Sequence, residues 1–418
     1  FGMFWETGYT AMKSLNLGAN FNTTKVTDMT DMFYYTGYTA MTSLSLGSNF
    51  DTSHVTNMYQ MFHSTGYNAM TSLDLGKKFN TSAVTTRMDY MFENTGYNAM
   101  KSLDLGELFD TSHVISMMNM FADTGHNSME SLNLGNNFNT IMVENMGGMF
   151  QGTGYKKMTS LDLGKKFDTS KVKNMMCMFS GYNDEDDEKS GSALATLNLG
   201  DKFNTSSVQD LSGMFEYTIN LTTLDLGDKF STSKVEDMTG MFQKCGSEVM
   251  TSLDLGPAFT NIASENTDMF TDTGISECVI YAPEAIYQDK NNFKLNTSAT
   301  SSAINYTRGT INAKYRAEWV KESTSIDKTN KSISITLRGT TNTQVAAGEY
   351  KSDLTSSLTA NDIKVFIDGT DITSKVTKTL GSATETTNTR TNAKDVLQTV
   401  TLKFDEKYRT RISGKSYL

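Results

Sequence analysis

Residues 32–62 read MFYYTGYTAMTSLSLGSNFDTSHVTNMYQMF, and the stretch opens and closes on the same dipeptide. Met-Phe recurs at Met3-Phe4, Met32-Phe33, Met61-Phe62, Met91-Phe92, Met120-Phe121, Met149-Phe150, Met178-Phe179, Met214-Phe215, Met241-Phe242 and Met269-Phe270. Leu-x-Leu-Gly keeps step with it, from Leu15-Asn16-Leu17-Gly18 to Leu253-Asp254-Leu255-Gly256. A period of about 29 residues marks a solenoid rather than a single globular domain. One such unit has too little apolar surface to offset the ordering of its backbone, so units must stack and share a core.

Within a unit, Met41, Leu44, Leu46 and Phe50 are followed by Val55, Met58, Met61 and Phe62. The alternation Leu44-x-Leu46 predicts a short strand. The spacing of Val55, Met58, Met61 and Phe62 predicts one or two turns of helix, with Ser53 as N-cap and Gly66 as a left-handed stop. The strands should form a parallel sheet, and the 27 methionines, all at or before Met269, should fill the core.

Composition changes where the period ends. Residues 1–274 carry 17 Lys+Arg and 32 Asp+Glu, a net −15; residues 275–418 carry 20 and 15, a net +5. The acidic balance argues against nucleic acid as the main partner. No run of about 18 apolar residues spans a membrane. The chain begins inside a repeat, which suggests a piece of a longer protein. Cys177, Cys245 and Cys278 match neither a disulfide framework nor a zinc spacing and read as isolated thiols.

The phrase F-[ND]-T-S-x-V-x-x-M-x-x-M-F stands at residues 50–62, 167–179 and, with Ser for Asn/Asp, 230–242. It resembles the repeat of BspA-like leucine-rich-repeat surface proteins of bacteria. The resemblance covers residues 1–274 and implies a leucine-rich-repeat-like solenoid of parallel strands and short helices. It further implies an adhesin-like protein at the bacterial cell surface or secreted, engaging host or neighbouring-cell proteins. The Asn ladder of common leucine-rich repeats is kept at Asn20 and Asn49 but replaced by Lys78, Leu108 and Lys166.

The last repeat degrades at residues 259–270. Residues 275–316 then read as a C-terminal cap, with a strand in ISECVIYAP and a helix over 284–295. Residues 317–418 alternate β-branched residues in KSISITLRG, DIKVFIDG and VLQTVTLKF. They predict an antiparallel β-sandwich that resembles the Ig-like modules of bacterial surface proteins and is expected to be incomplete.

Catalytic motifs are absent, and no cofactor, metal set or enzyme activity is expected. Gly414-Lys415-Ser416 lacks the upstream Gly of a phosphate loop. His54 and His113 share a repeat position two rungs apart, about 10 Å, too far for one metal; with His63 and His126 they read as surface histidines. The acidic loop 183–191 could take calcium but lacks a regular ligand spacing.

The candidate ligand-binding surface is the strand face, where the residue between the two leucines points outward. It reads Asn16, Ser45, Asp74, Asp104, Asn133, Asp162, Asn198, Asp225 and Asp254, with Ser or Thr two residues earlier in every rung. Such a strip could engage a basic protein patch, a glycan or cations, or be no more than the solvated face of a sheet. A second column, Tyr9, Tyr38, Tyr67, Tyr97, His126 and Tyr155, could stack on sugars or on itself. The leading expectation is therefore binding of an extracellular protein ligand. The alternatives are a glycan-binding module and an accessory region of a larger extracellular enzyme.

Overall fold

The structure, a computed structural model, describes residues 1–182, 191–276, 278–283, 310–315, 318–327, 329–330, 332–340, 360, 363, 365–367, 370–387 and 394–404. Residues 183–190 of the acidic loop, the helix expected over 284–295 and Gly414-Lys415-Ser416 lie outside them. The chain divides into two compact units, Phe1–Lys314 and Tyr315–Leu418.

The first unit is a β-solenoid. Strands β1 (Ser14–Asn16), β2 (Ser43–Ser45), β3 (Ser72–Leu73), β4 (Ser102–Asp104), β5 (Ser131–Asn133), β6 (Ser160–Asp162), β7 (Thr196–Asn198), β8 (Ser252–Asp254) and β9 (Val279–Pro283) stack in chain order. Pairing is parallel and joins like with like: Leu15 faces Leu44, Leu103 faces Leu132 and Leu161 faces Leu197. A slip of one residue would turn the leucines outward, so burial of that column fixes the register. A second parallel ladder of single bridges runs along Arg87, Ser116, Asn145, Asn174, Asp210, Asp237 and Glu265.

The helix expected over Val55–Phe62 does not form, and among the described residues the solenoid has no α-helix. Each Met-Phe segment instead carries left-handed residues: Asp31, Tyr35 and Gly37 (φ 55°, 54° and 59°), then Gln60, Ser64 and Gly66 (φ 53°, 54° and 58°). A left-handed residue breaks the i→i−4 pattern of a helix. The N–H groups of Asp31, Phe33 and Tyr35 donate to the carbonyls of Tyr59, Met61 and His63 in the next coil. Those between them, Met32, Tyr34 and Thr36, close turns onto Met29, Asp31 and Phe33. The result is a ribbon of consecutive turns, and its repeat of Val55, Met58 and Met61 imitates helical spacing.

Ser53 is accordingly no N-cap. Its N–H donates to Asp51 Oδ1 at 2.9 Å, a local side-chain turn. The Gly of Thr-Gly-Tyr closes the ribbon rather than a helix. At Gly96 (φ +55°) a Cβ would lie 2.5 Å from Met100 Cβ and 3.2 Å from the Met70 carbonyl oxygen, so only glycine fits.

Methionine, leucine, valine and phenylalanine fill one continuous core. Phe33, Phe62 and Phe92 stack ring on ring at 5.3 and 5.5 Å. A second phenylalanine column runs beside it, Phe50–Phe79 at 6.5 Å and Phe79–Phe109 at 6.2 Å. Two buried threonine rows tie coil to coil. Thr65, Thr95 and Thr124 each donate a hydroxyl at 2.7 Å to the carbonyl of Phe33, Phe62 and Phe92 in the preceding coil. Thr111 Oγ1 donates to the Asn139 carbonyl at 2.8 Å and accepts the Asn139 N–H at 2.7 Å. Strand β10 (Thr310–Tyr315) lies beside β9 at the end of the last ladder.

The second unit is a small antiparallel sheet ordered β11 (Glu318–Asp327), β12 (Ser332–Thr340), β17 (Lys394–Phe404) and β15 (Val376–Leu380). Strand β16 (Thr384–Thr387) also pairs with β17, and β13 (Phe366–Ile367) and β14 (Thr370–Asp371) form a separate ribbon. Ile372, Val376, Val400, Leu402 and Phe404 form its core. The described residues thus carry one five-stranded sheet and a two-stranded ribbon, not the two large facing sheets of the expected sandwich.

Candidate functional site

Strands β1 to β8 position the strip. The central leucine of each turns into the core and its neighbours turn out, so Ser43 and Ser45, or Ser102 and Asp104, stand exposed around a buried Leu44 or Leu103. Parallel in-register pairing repeats this arrangement about every 4.8 Å. The nine expected residues Asn16, Ser45, Asp74, Asp104, Asn133, Asp162, Asn198, Asp225 and Asp254 occupy equivalent strand positions.

The carboxylates and amides also shape the coil. Asp74 Oδ1 accepts the N–H of Gly76 at 2.8 Å, Asp104 that of Gly106 at 3.0 Å, and Asp162 that of Gly164 at 2.9 Å. Asn16, Asn133 and Asn198 do the same for Gly18, Gly135 and Gly200. Each such glycine has positive φ. The side chain is therefore a turn clamp whichever of the two residue types supplies it, and charge is the variable part. Where an Asn follows an Asp, it bridges to it: Asn133 Nδ2 donates to Asp104 Oδ1 and Asn198 Nδ2 to Asp162 Oδ1, both at 3.1 Å. At Asp74 with Asp104, and at Asp225 with Asp254, two carboxylates neighbour each other instead.

The turn after the strand is held by varied chemistry. Asn49 Nδ2 reaches the Ala19 carbonyl at 2.6 Å, Asn137 the Glu107 carbonyl at 2.7 Å, and Lys229 Nζ the Asp201 carbonyl at 3.0 Å. Lysine can thus take the part of an Asn ladder.

The aromatic column forms a continuous stack. Ring centroids are 4.8 Å apart for Tyr9–Tyr38, 4.5 Å for Tyr38–Tyr67, 4.6 Å for Tyr67–Tyr97, and 4.5 Å for both Tyr97–His126 and His126–Tyr155. Ring faces are spent on one another, which leaves sugars only edges. His126 is only 1% exposed and His63 is also buried, a correction to their reading as surface residues; His54 and His113 are exposed. His126 Nδ1 lies 2.8 Å from Asp123 Oδ1. Among the described residues no cluster of His, Cys, Asp or Glu could hold a metal ion, and no helix is long and apolar enough to cross a membrane.

A second feature escapes a reading of the consensus. In the ribbons at residues 2–9, 31–38 and 60–67 the position directly after Met-Phe carries a ring, Trp5, Tyr34 and His63, where later coils carry none, whereas Tyr35 recurs as Tyr217 in a later coil. Trp5 lies 4.5 Å from Tyr34, Tyr34 lies 4.6 Å from Tyr35 and 4.7 Å from His63, and Tyr35 lies 5.3 Å from Tyr38. His63 Nδ1 is 2.8 Å from Glu93 Oε2. Burial and the neighbouring Tyr35, Asp31 and Glu93 push the Tyr34 phenol up to about 12. Burial also raises the Asp31 carboxyl above its ordinary range. Aligning the repeats row by row would have exposed this belt, because the position of Trp5, Tyr34 and His63 becomes Glu93, Ala122 and Gln151 in the following coils.

A family model described as "Mycoplasma protein of unknown function, DUF285" matches residues 2–130, 86–190 and 165–274. No curated protein and no solved structure matches the chain.

Proposed function

The chain belongs to the DUF285 family, and from that premise we propose that it is a binding scaffold of the bacterial cell surface or secreted space, with no enzymatic activity of its own. In this reading it is an adhesin-like protein that engages an extracellular protein ligand through the strand face. The BspA-like repeat phrase supports the reading. The observation that carries it is the chemistry of the strip. Asn clamps the turn as well as Asp does, as Asn16, Asn133 and Asn198 demonstrate. Folding therefore does not require the carboxylates at Asp74, Asp104, Asp162, Asp225 and Asp254. Adjacent like charges across strands are unfavourable, and a basic partner patch gives them a use. Repetition at a fixed spacing suits multipoint contact along an extended face. The antiparallel unit at the C-terminal end, resembling an Ig-like module, serves as a spacer.

The test replaces all five aspartates by asparagine in the full chain, which keeps every turn clamp and removes only charge. The parent and this variant are screened against extracellular proteins and glycans. A saturable protein ligand that the parent binds and the five-Asn variant loses, at unchanged circular dichroism, supports the reading. Equal binding by both places the site elsewhere. The glycan alternative is weakened by the closed aromatic stack, and sugar binding that is lost on replacing Tyr38 and Tyr67 by alanine would restore it.

A further inference from the structure

Two coils share a phrase that goes beyond the common repeat, Asp-Leu-Gly-Lys-Lys, at residues 74–78 and 162–166. It sets a second charged column beside the strand strip. Lys77, Lys78, Lys165 and Lys166 stand in the turn that follows the strand, and Lys202 and Lys229 continue the column in later coils; all are exposed. Asp74, Asp162 and Asp225 are exposed on the strand side of the same turns. The two columns do not neutralise each other within the chain: among the described residues no ion pair joins these aspartates to these lysines. The turn clamp is the reason. Asp74 Oδ1 is turned back onto the Gly76 N–H at 2.8 Å and Asp162 Oδ1 onto that of Gly164 at 2.9 Å, which leaves the second oxygen of each carboxylate for a partner. Lys78 Nζ and Lys166 Nζ reach along the stack instead, to Asn49 Oδ1 at 3.3 Å and Asn137 Oδ1 at 2.9 Å.

We infer that the basic partner of the strip is a second copy of this chain, docked face to face about a twofold axis that runs parallel to the stack, between the two columns. The inference rests on the reading of the strip as a binding surface. Half a turn about that axis reverses strand direction and keeps coil order. It lays the lysine column of each copy over the aspartate column of the other, coil on matching coil, so that Asp74 meets Lys77 and Lys78 of the second copy and Asp162 meets Lys165 and Lys166. A twofold axis across the stack would set aspartate on aspartate, which is unfavourable, so the charges select one orientation. Both columns are generated by the same coils and repeat about every 4.8 Å, so they stay matched along their length. An unrelated basic protein would have to be built to that spacing, whereas a second copy has it already. Each contact of such an isologous interface occurs twice. The coil of Asp104 is the exception, with Glu107 where the others place lysine, and Asn136 Nδ2 holds that carboxylate at 3.3 Å. Charge complementarity fixes orientation and specificity more than it adds affinity, so the dimer is weak and salt-sensitive.

Sedimentation velocity of the full chain over a range of concentrations tests this. The parent should pass from monomer to dimer, and the association should weaken at least about tenfold when salt is raised from about 0.05 to about 0.5 M. Lys77→Glu with Lys165→Glu, and separately Asp74→Asn with Asp162→Asn, keep every turn clamp and the contacts of Lys78 and Lys166; each pair should weaken association about tenfold at unchanged circular dichroism. An equimolar mixture of the two variants should associate more tightly than either alone, because the lysines of one meet the aspartates of the other, a rescue that a folding defect would not show. Carbodiimide cross-linking of isotopically heavy chain with light chain should join Asp162 to Lys165 or Lys166 in heavy–light pairs. The inference is overturned by a parent that stays monomeric, by a dimer that neither salt nor the variants change, by a mixture no tighter than its components, or by heavy–light links between unlike coils. A monomeric parent that still binds an extracellular protein through its aspartates would overturn this inference alone and leave the wider reading of the strip intact. A dimer lost in both variants, from a chain that finds no extracellular ligand, would support this inference and count against an external ligand.

Discussion

Replacing Thr111 by valine should loosen the junction between its coil and the next, although valine has the same shape and is more apolar. Thr111 is fully buried, and its hydroxyl both donates to the Asn139 carbonyl at 2.8 Å and accepts the Asn139 N–H at 2.7 Å. Valine leaves that donor and that acceptor without this partner. Each stranded group costs about 1–3 kcal/mol where it is buried. Asn139 is only partly buried, so the sum is about 2–4 kcal/mol rather than the full maximum. Serine keeps both hydrogen bonds and gives up one methyl group, about 1 kcal/mol. The expected order of stability is therefore threonine, then serine, then valine, the reverse of a ranking by hydrophobicity. Because a solenoid opens coil by coil, the assay is native-state hydrogen exchange resolved by segment. The Asn139 amide should exchange faster by the factor that free energy implies, about 30-fold or more. A valine variant as protected as wild type, with serine the worse of the two, would refute the view that threonine clasps hold the coils together.

Gln60, at φ 53°, should be improved by glycine by about 1 kcal/mol, since other coils place Gly148, Gly213 and Gly240 there; chemical denaturation measures it, and a destabilised variant would count against left-handed strain. His126→Ala should cost about 1–3 kcal/mol through two lost ring stacks, whereas His126→Tyr should be tolerated, because the flanking rungs carry Tyr97 and Tyr155. Burial pushes the Glu216 carboxyl up to about 7, with Lys244 opposing and Asp268 adding to the shift. The native state then holds that proton more tightly than the unfolded chain does. Stability from this group is present below about pH 4.5 and fades as pH rises through about 7. The difference between wild type and Glu216→Gln should shrink or change sign over that window, and a pH-independent difference would rule the shift out.

The period, the parallel strands and the buried methionines were legible because each depends only on which side chains are apolar and how often they recur. The helix was misread for a physical reason. Val55, Met58 and Met61 face the core at threefold spacing in a ribbon of turns as well as in a helix, and periodicity does not distinguish them. Backbone sign was the missing information, and the sequence held part of it. Where most coils place Asp31, Gln60 or Tyr90, others place Gly148, Gly213 and Gly240, which no helix interior would favour. The Asp-Thr-Ser phrase invited an N-cap for a similar reason, since a turn and a helix start use the same side chains. The buried threonine between them gave the better clue, because it recurs without any helix to cap.

The strip and the belt then differ in kind. Along the strip each Asp and Asn clamps its turn, and function can reside only in the choice between the two, a choice that changes charge without changing the clamp. In the belt the residue after Met-Phe changes, from Trp5, Tyr34 and His63 to Glu93, Ala122 and Gln151. Tyr34 takes a position that Ala122 fills without polar atoms, and Tyr35 takes a left-handed position that Tyr217 and Lys244 share in later coils. A stacked fold makes such departures interpretable, because every coil offers the same backbone environment and so supplies its own control. Residues that agree from coil to coil are accounted for by the core, the clasps and the turns. Residues that differ from coil to coil while the clamp stays the same, as Asp and Asn do along the strip, are where selection for a partner would leave its mark.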